Sequence, residues 1–287
     1  MLFESLLQGT VLFCTYQNSR CVVCGRHQNP WREFDLPSAK DESVPILRRI
    51  TGGGAVYHDL GNLVFSFAMK RNLLDRSQNL RIVKKALAAC GIEAELTEGF
   101  DLYSGGSKIS GSAFRFRHDR GIHHGTLLVD SDRALMGRTL RHSESSIESF
   151  AVRSRPASTI NLSELGVSCS IDEIKTQIEH EVAEYFRPIT IETRDVAADA
   201  DEEIDKIVER LTSWEWIYGN TPPFEISLGA DSPILRLRVK KGRIEAVVSH
   251  PGEEANALVG CRLIKEEMLD RDVGERVRLV VERSTLL

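Results

Sequence analysis

Three glycines in a row, Gly52, Gly53 and Gly54, stand just behind the arginine pair Arg48 and Arg49, and they constrain this chain more than any other stretch. Glycine has no side chain to keep a ligand off the main chain, and it reaches dihedrals closed to other residues. Successive free N–H groups in such a turn form an anion-binding concavity, and a neighbouring arginine adds fixed positive charge. A bare G-G-G is often a tight turn beside solvated arginines. Residues 48–62 carry much more than that, with His58, Asp59 and Asn62 placed just before an apolar run. They read as a site.

Other blocks stand around it. Gly25-Arg26-His27-Gln28-Asn29-Pro30-Trp31 lies upstream, and Ser107-Lys108-Ile109-Ser110-Gly111-Ser112-Ala113 downstream. His123-His124-Gly125-Thr126-Leu127-Leu128 follows, then Val152-Arg153-Ser154-Arg155, Asn161-Leu162, and Trp214-Glu215-Trp216 with Gly219. In this order, across most of residues 12–224, the blocks resemble the lipoate–protein ligase A family, which includes the related lipoyltransferases. The resemblance implies an α+β fold of the biotin/lipoate protein ligase type, with a mixed-sheet catalytic domain and a small α+β accessory domain. Phe100 and His27 resemble the lipoyltransferase branch, whereas Gly125 resembles the ligases.

Composition is consistent with a compact protein. The chain has 287 residues, 41% of them hydrophobic, enough for one large domain and a small one. A net charge of −5 argues against nucleic acid as the main partner. No apolar run approaches the roughly 20 residues that span a bilayer, and the first residues lack the basic start of a signal peptide. Six scattered cysteines are too few for a disulfide framework and suit a reducing compartment. Cys21-Val22-Val23-Cys24 has C-x-x-C spacing, but without a second pair it reads as buried structural cysteine in a strand. The expectation is a monomer in the cytoplasm, with the mitochondrion left open.

Periodicity places the blocks on elements. Apolar runs at 11–16 and 21–24, separated by Gln17-Asn18-Ser19, suggest a hairpin. Residues 63–68 and 122–130 read as strands. From Asp75 the spacing of Leu80, Val83, Leu87 and Cys90 predicts a helix closed by Gly91. Ser170 and Glu173 form a capping box for a helix whose Ile171, Ile174, Ile178, Val182 and Tyr185 share a face. Ile204, Ile207, Val208 and Leu211 mark another helix. Asn220-Thr221-Pro222-Pro223 is a breaker cluster, so the domains are expected at 1–222 and 223–287. In the second, Leu235, Leu237 and Val239 alternate with Arg236, Arg238 and Lys240. That basic face reads as solvated, with docking of an acidic protein as the minor alternative. A Lys241-Gly242 turn and a helix at 255–269 complete the module.

By the resemblance, the chemistry is activation of lipoate, or octanoate, by ATP with Mg²⁺. The carboxylate attacks the α-phosphorus, giving an acyl-adenylate and pyrophosphate; a carrier lysine then takes the acyl group and AMP leaves. Both steps build charge on oxygen, so fixed donors and cations matter more than a protein nucleophile. Lys108, set between Gly105-Gly106 and Ser110-Gly111, is the expected catalytic cation. Nucleotide contacts fall to Arg49, Gly54, Ala55, Val56, Tyr57, Asp59, Asn62 and Lys108. The acyl group falls to Arg48, Gly52, Gly53, Gly54, His58, Lys108, Ser110, Gly111, His124, Gly125 and Thr126, with Gly125 making room for the chain. Arg153 and Arg155 belong to a loop expected to cover the adenylate. Asp59 or Asp101 would recruit Mg²⁺. His58, His123 and His124 read as hydrogen-bonded structural histidines rather than a metal cluster.

The expected partners are lipoyl carrier domains, namely the E2 subunits of 2-oxoacid dehydrogenases and the glycine cleavage H protein. Two other functions compete: a lipoyl- or octanoyl-transferase that does not use ATP, and a non-catalytic lipoate-binding protein. Lys108 in its glycine-flanked setting speaks against the last.

Overall fold

The computed structural model describes residues 10–140, 146–166, 168–187, 202–229, 235–249 and 253–287. Its centre is a four-stranded antiparallel sheet of β1 (Leu12–Gln17), β5 (Asn62–Lys70), β10 (Arg120–Leu128) and β9 (Ser112–Arg117), in the order β1-β5-β10-β9. Eight of the nine residues of β5 are buried, because both faces of this strand are covered. On one face Leu63, Phe65, Phe67 and Met69 pack against α3 (Arg76–Ala89) and α5 (Ile171–Tyr185). The caps of both helices follow the sequence: Asp75 accepts from the Gln78 N–H, and Ser170 and Glu173 close a reciprocal box. Tyr185 does not share the buried face of α5; it is 55% exposed, and Phe186 packs on the core in its place.

The hairpin expected at 11–24 does not form. β1 joins the central sheet through β5, whereas β2 (Cys21–Cys24) sits between β3 (Ile46–Arg48) and β4 (Val56–His58) in a separate sheet. Register decides this, since β2 pairs in parallel with β3 and cannot also turn back on β1. Cys21 and Cys24 are both buried, and burial pushes both thiols up, Cys21 to about 11. The small sheet of β6 (Glu95–Leu96), β7 (Leu102–Ser104) and β8 (Ser107–Ser110) carries Lys108.

Beyond Pro223 comes a second sheet, β12 (Phe224–Leu228), β13 (Leu235–Lys240) and β14 (Arg243–Ser249), whose outer strand β11 (Ile147–Ser149) is borrowed from far upstream. Its core also takes in Trp31, fully buried on α1 (Pro30–Glu33), with its indole N–H on the Leu263 carbonyl at 3.0 Å. The basic strand face is neither bare nor free for an acidic partner. Arg236 and Arg238 both pair with Glu225, and Lys240 with Glu245. The helix expected at 255–269 is broken into a 3-10 turn at Glu253–Leu258 and α8 (Lys265–Leu269), with Gly260 between them at φ +91°. α9 (Gly274–Glu282) closes the module. Ahead of it, α6 (Glu202–Thr212) leaves Val208 exposed, and the short α7 (Trp214–Ile217) follows. Among the described residues no helix is long and apolar enough to cross a membrane.

Candidate active site

The two arginines of the glycine loop have different jobs. Arg48, at the end of β3, is 2% exposed, and its guanidinium is consumed within the fold. It donates to the carbonyls of Ile217 (2.7 Å), Gly25 (3.2 Å), Arg26 (2.9 Å) and Gln28 (2.9 Å), and to the Thr221 hydroxyl (2.9 Å). The expectation that Arg48 contacts the acyl group is therefore corrected: its donors tie the upstream G-R-H-Q-N-P-W block to α7. Arg49 instead gathers its own loop. It donates to the Gly52 carbonyl at 2.6 Å and the Gly54 carbonyl at 2.7 Å. In a trans peptide the N–H points opposite to the carbonyl, so the Gly53 N–H faces away from Arg49. Burial lowers the Arg49 guanidinium to about 10, which leaves it charged at neutral pH. Gly53 takes φ +88°, and a Cβ on Gly25 would lie 2.2 Å from the Gly53 carbonyl oxygen. The two motif blocks thus meet backbone to backbone, and glycine is required on both sides.

A cavity of about 420 Å³ opens beside this loop. Of the expected residues it brings together Ala55, Val56, Tyr57, Asn62, Lys108, Ser110, Gly111, Thr126 and Arg155. Lys108 places its ammonium 2.8 Å from the Asp101 carboxylate, and a Cβ on Gly111 would come within 3.3 Å of that ammonium. Asn62 Oδ1 and Ser110 Oγ are buried at the wall without hydrogen-bond partners. Such atoms carry a desolvation cost until something pairs with them.

Several expected residues lie outside the cavity. Gly125 faces the other side of the sheet: it sits opposite Phe65, and a Cβ there would lie 2.2 Å from the Phe65 ring. The glycine makes room for that ring, not for an acyl chain. Asp59 accepts the N–H groups of Gly61 (2.9 Å) and Asp132 (2.8 Å), which commits both its oxygens to backbone. Gly52, Gly53, Gly54 and Arg153 also stand apart from the cavity lining. His124 shares a 2.8 Å hydrogen bond with the Thr51 hydroxyl, and His123 lies between Asn79 (3.3 Å) and Ser112 (3.1 Å). Burial, reinforced by Arg49, lowers His58 to about 4 and His124 to about 3. Burial, with Arg76, lowers His123 to about 4. All three are neutral near pH 7, and no cluster able to hold a metal occurs among the described residues.

The segment 149–160 closes the cavity from above and is held at both ends. Arg32 donates to the carbonyls of Ala151 (2.7 Å) and Val152 (3.0 Å), and the Glu33 carboxylate accepts the Ser154 N–H (3.1 Å). The Ser154 hydroxyl takes the Ala55 N–H at 2.8 Å. At the far end, Lys108 donates its N–H to the Ser158 carbonyl and accepts from the Ile160 N–H. Glu33, Leu128, Arg133, Met136, Leu140 and Ser154 also line the cavity, and sequence reasoning did not single them out for it. Glu33 and Ser154 had a signal, since each adjoins a recognised block; Met136 and Leu140 had none beyond helical apolarity.

The chain's residues 1–183 match the family model described as the lipoyl protein ligase A/B catalytic domain. It is 35% identical over 233 residues to a lipoate-protein ligase A of Bdellovibrio bacteriovorus, covering 78% of this chain and 68% of that one. It is 34% identical over 255 residues to the mitochondrial lipoyl amidotransferase LIPT1 of Mus musculus, covering 83% and 68%. Among solved structures, LipL1 of P. falciparum in complex with lipoate superposes with a TM-score of 0.65 at 27% identity, covering 90% of this chain and 80% of that one.

Proposed function

The chain belongs to the lipoyl protein ligase A/B catalytic-domain family, and we propose on that footing that it is a lipoate–protein ligase. It joins lipoate, or its octanoyl precursor, to a lysine of a carrier domain through an acyl-adenylate made from ATP. The observation that carries this reading is Lys108, whose ammonium stands at a closed cavity between the glycine loop and the covering segment.

In the resting site Asp101 neutralises Lys108. A ligand carboxylate or phosphate entering the cavity competes for that ammonium, which then stabilises the charge that grows on phosphate and carbonyl oxygens. The N–H groups of the glycine loop and the Arg49 charge favour the same anion. The covering segment excludes water, which protects a mixed anhydride from hydrolysis until the carrier amine arrives. That amine bonds to the acyl carbon, the bond to the AMP oxygen breaks, and the amine loses its proton. Of the two acids considered for Mg²⁺, Asp101 suits the role and Asp59 does not, because only Asp101 lies at Lys108 with an oxygen to spare. When bound, the ion would neutralise phosphate charge.

A second reading is a transferase that uses preformed acyl-adenylate. Phe100 and His27 favour it, as does the similarity to the lipoyl amidotransferase. We place the protein in the cytoplasm as a monomer acting on E2 subunits or the H protein.

Intact mass spectrometry separates the readings. An apo lipoyl domain is incubated with the protein, lipoate, ATP and Mg²⁺, beside a tube given lipoyl-AMP. Modification in both tubes is the expected result. Modification by lipoyl-AMP alone would replace the ligase with the transferase, and no modification in either would sink both.

A further inference from the structure

β9 begins at Ser112, four residues after Lys108, and forms an outer edge of the central sheet among the described residues. Its side chains alternate in a way that leaves apolar surface in water. Phe114 and Phe116 point to the helix-packed face, yet they lie beyond the cover of α3 and remain 40% and 37% exposed. Arginines surround them. Arg76 is held between the rings of Phe100 (3.9 Å) and Phe114 (4.0 Å), and Arg71 lies over Phe116 at 4.9 Å. On the opposite face Arg115 reaches the Ile50 carbonyl in the glycine loop. No described carboxylate is within ion-pair distance of Arg71, Arg76 or Arg115. The patch is thus basic on a chain whose net charge is −5.

The patch is also continuous with the chemistry. Arg76 stacks on Phe100, Phe100 precedes Asp101, and Asp101 holds Lys108. At ~3.3 Å per residue of strand, Phe116 lies ~17 Å along the chain from Gly111. A protein interface of ordinary size covers about 800 Å² per partner, roughly 30 Å across. A domain that delivers a lysine to the cavity therefore has to rest on or beside β9. Exposed aromatics interleaved with arginine are the composition of interface hot spots.

We propose that the outer edge of β9, with Phe114 and Phe116 flanked by Arg71, Arg76 and Arg115, is the docking surface for the acyl-accepting carrier domain. It takes a carrier face on which carboxylates and apolar side chains flank the acceptor lysine. The inference rests on the acyl-transfer reading. The arginines serve two ends: they draw in the acidic face, and their field disfavours the ammonium form of the incoming lysine, which must be a neutral amine to attack.

The test uses the full chain with Phe114→Ser/Phe116→Ser as one variant and the exposed Arg71→Glu as another. The carrier KM is read by intact mass with acyl-adenylate supplied, and carrier Kd by titration. Acyl-adenylate formation is read without carrier as pyrophosphate release, and acyl transfer to hydroxylamine serves as a small-nucleophile control. The expected result is a carrier KM and Kd raised on the order of tenfold or more in the double variant. A smaller, salt-sensitive rise is expected in Arg71→Glu, with pyrophosphate release and hydroxylamine acylation unchanged in both. Carrier KM and Kd equal to wild type in both variants would overturn the proposal. So would a change only in self-association, which would assign the patch to a second copy of this chain. Failure of wild type to acylate even hydroxylamine would instead strike the acyl-transfer reading, with carrier Kd still judging the surface.

Discussion

The two faces of the β5–β10 pair carry almost the same kinds of residue to opposite ends. On the helix-packed face, Phe65, Phe67 and Leu127 meet α3 and α5, Gly125 yields its space to Phe65, and His123 is locked between Asn79 and Ser112. On the other face, Asn62, Thr126 and Leu128 line the cavity, and His124 hydrogen-bonds to Thr51 beneath the glycine loop. A one-residue step along β10 separates a structural histidine from one next to the site. What distinguishes the faces is therefore what covers each one, a pair of capped helices or a glycine loop, rather than the strands themselves.

The largest effect should come from breaking the helix-packed face alone. Phe65→Ala is expected to cost about 3–5 kcal/mol by opening a core cavity, while acyl transfer per folded molecule stays near wild type. Urea unfolding and active-site titration would read the two quantities, and a parallel fall in both would erase the contrast. The reverse pattern belongs to Lys108→Ala, expected to lower acyl-transfer kcat/KM by about 10²–10³-fold with an unchanged unfolding midpoint. Arg48→Met probes the seam between motif blocks. It strands several buried carbonyls and should lower stability by about 1–3 kcal/mol, whereas Arg49→Met should affect nucleotide KM more than stability.

The smallest effect is the pH response of the histidines, which tests the faces together. Their folded pKa values, about 4 for His58 and His123 and about 3 for His124, lie below the unfolded value of roughly 6.5. The unfolded chain binds protons first as pH falls, so this stability is present above pH ~6.5 and drains away toward pH ~4. Each histidine contributes at most about 1.4 kcal/mol per pH unit in that window. His123→Asn should flatten the urea midpoint against pH by about one such increment. An unaltered slope would mean that His123 is not held neutral.

Much of this architecture was legible in the chain. Capping residues at Asp75 and Ser170 announced their helices, and the block around Lys108 announced the cavity. What stayed hidden depends on distant partners. Arg48 and Arg49 are chemically equal in the sequence, and only the packing of Ile217 and Thr221 shows which one is consumed by the fold. The apparent hairpin at 11–24 failed because strand alternation is a local signal, whereas pairing partners 45 or more residues away are not. Phe100 shows the same limit. It takes φ +62°, a left-handed conformation costly for a bulky residue, and it is held there by packing on the core and by Arg76. No local rule would have put phenylalanine at that turn.

The borrowed strand Ile147–Ser149 and the inserted Trp31 bear on how the chain could be divided. A cut between Pro222 and Pro223 would leave the first piece with an indole and a strand edge facing water, and the second with a sheet lacking its outer member. Each fragment would carry part of the other's interior. Two such pieces made separately would then behave as complementing halves of a single folding unit, recovering a closed cavity only when they meet.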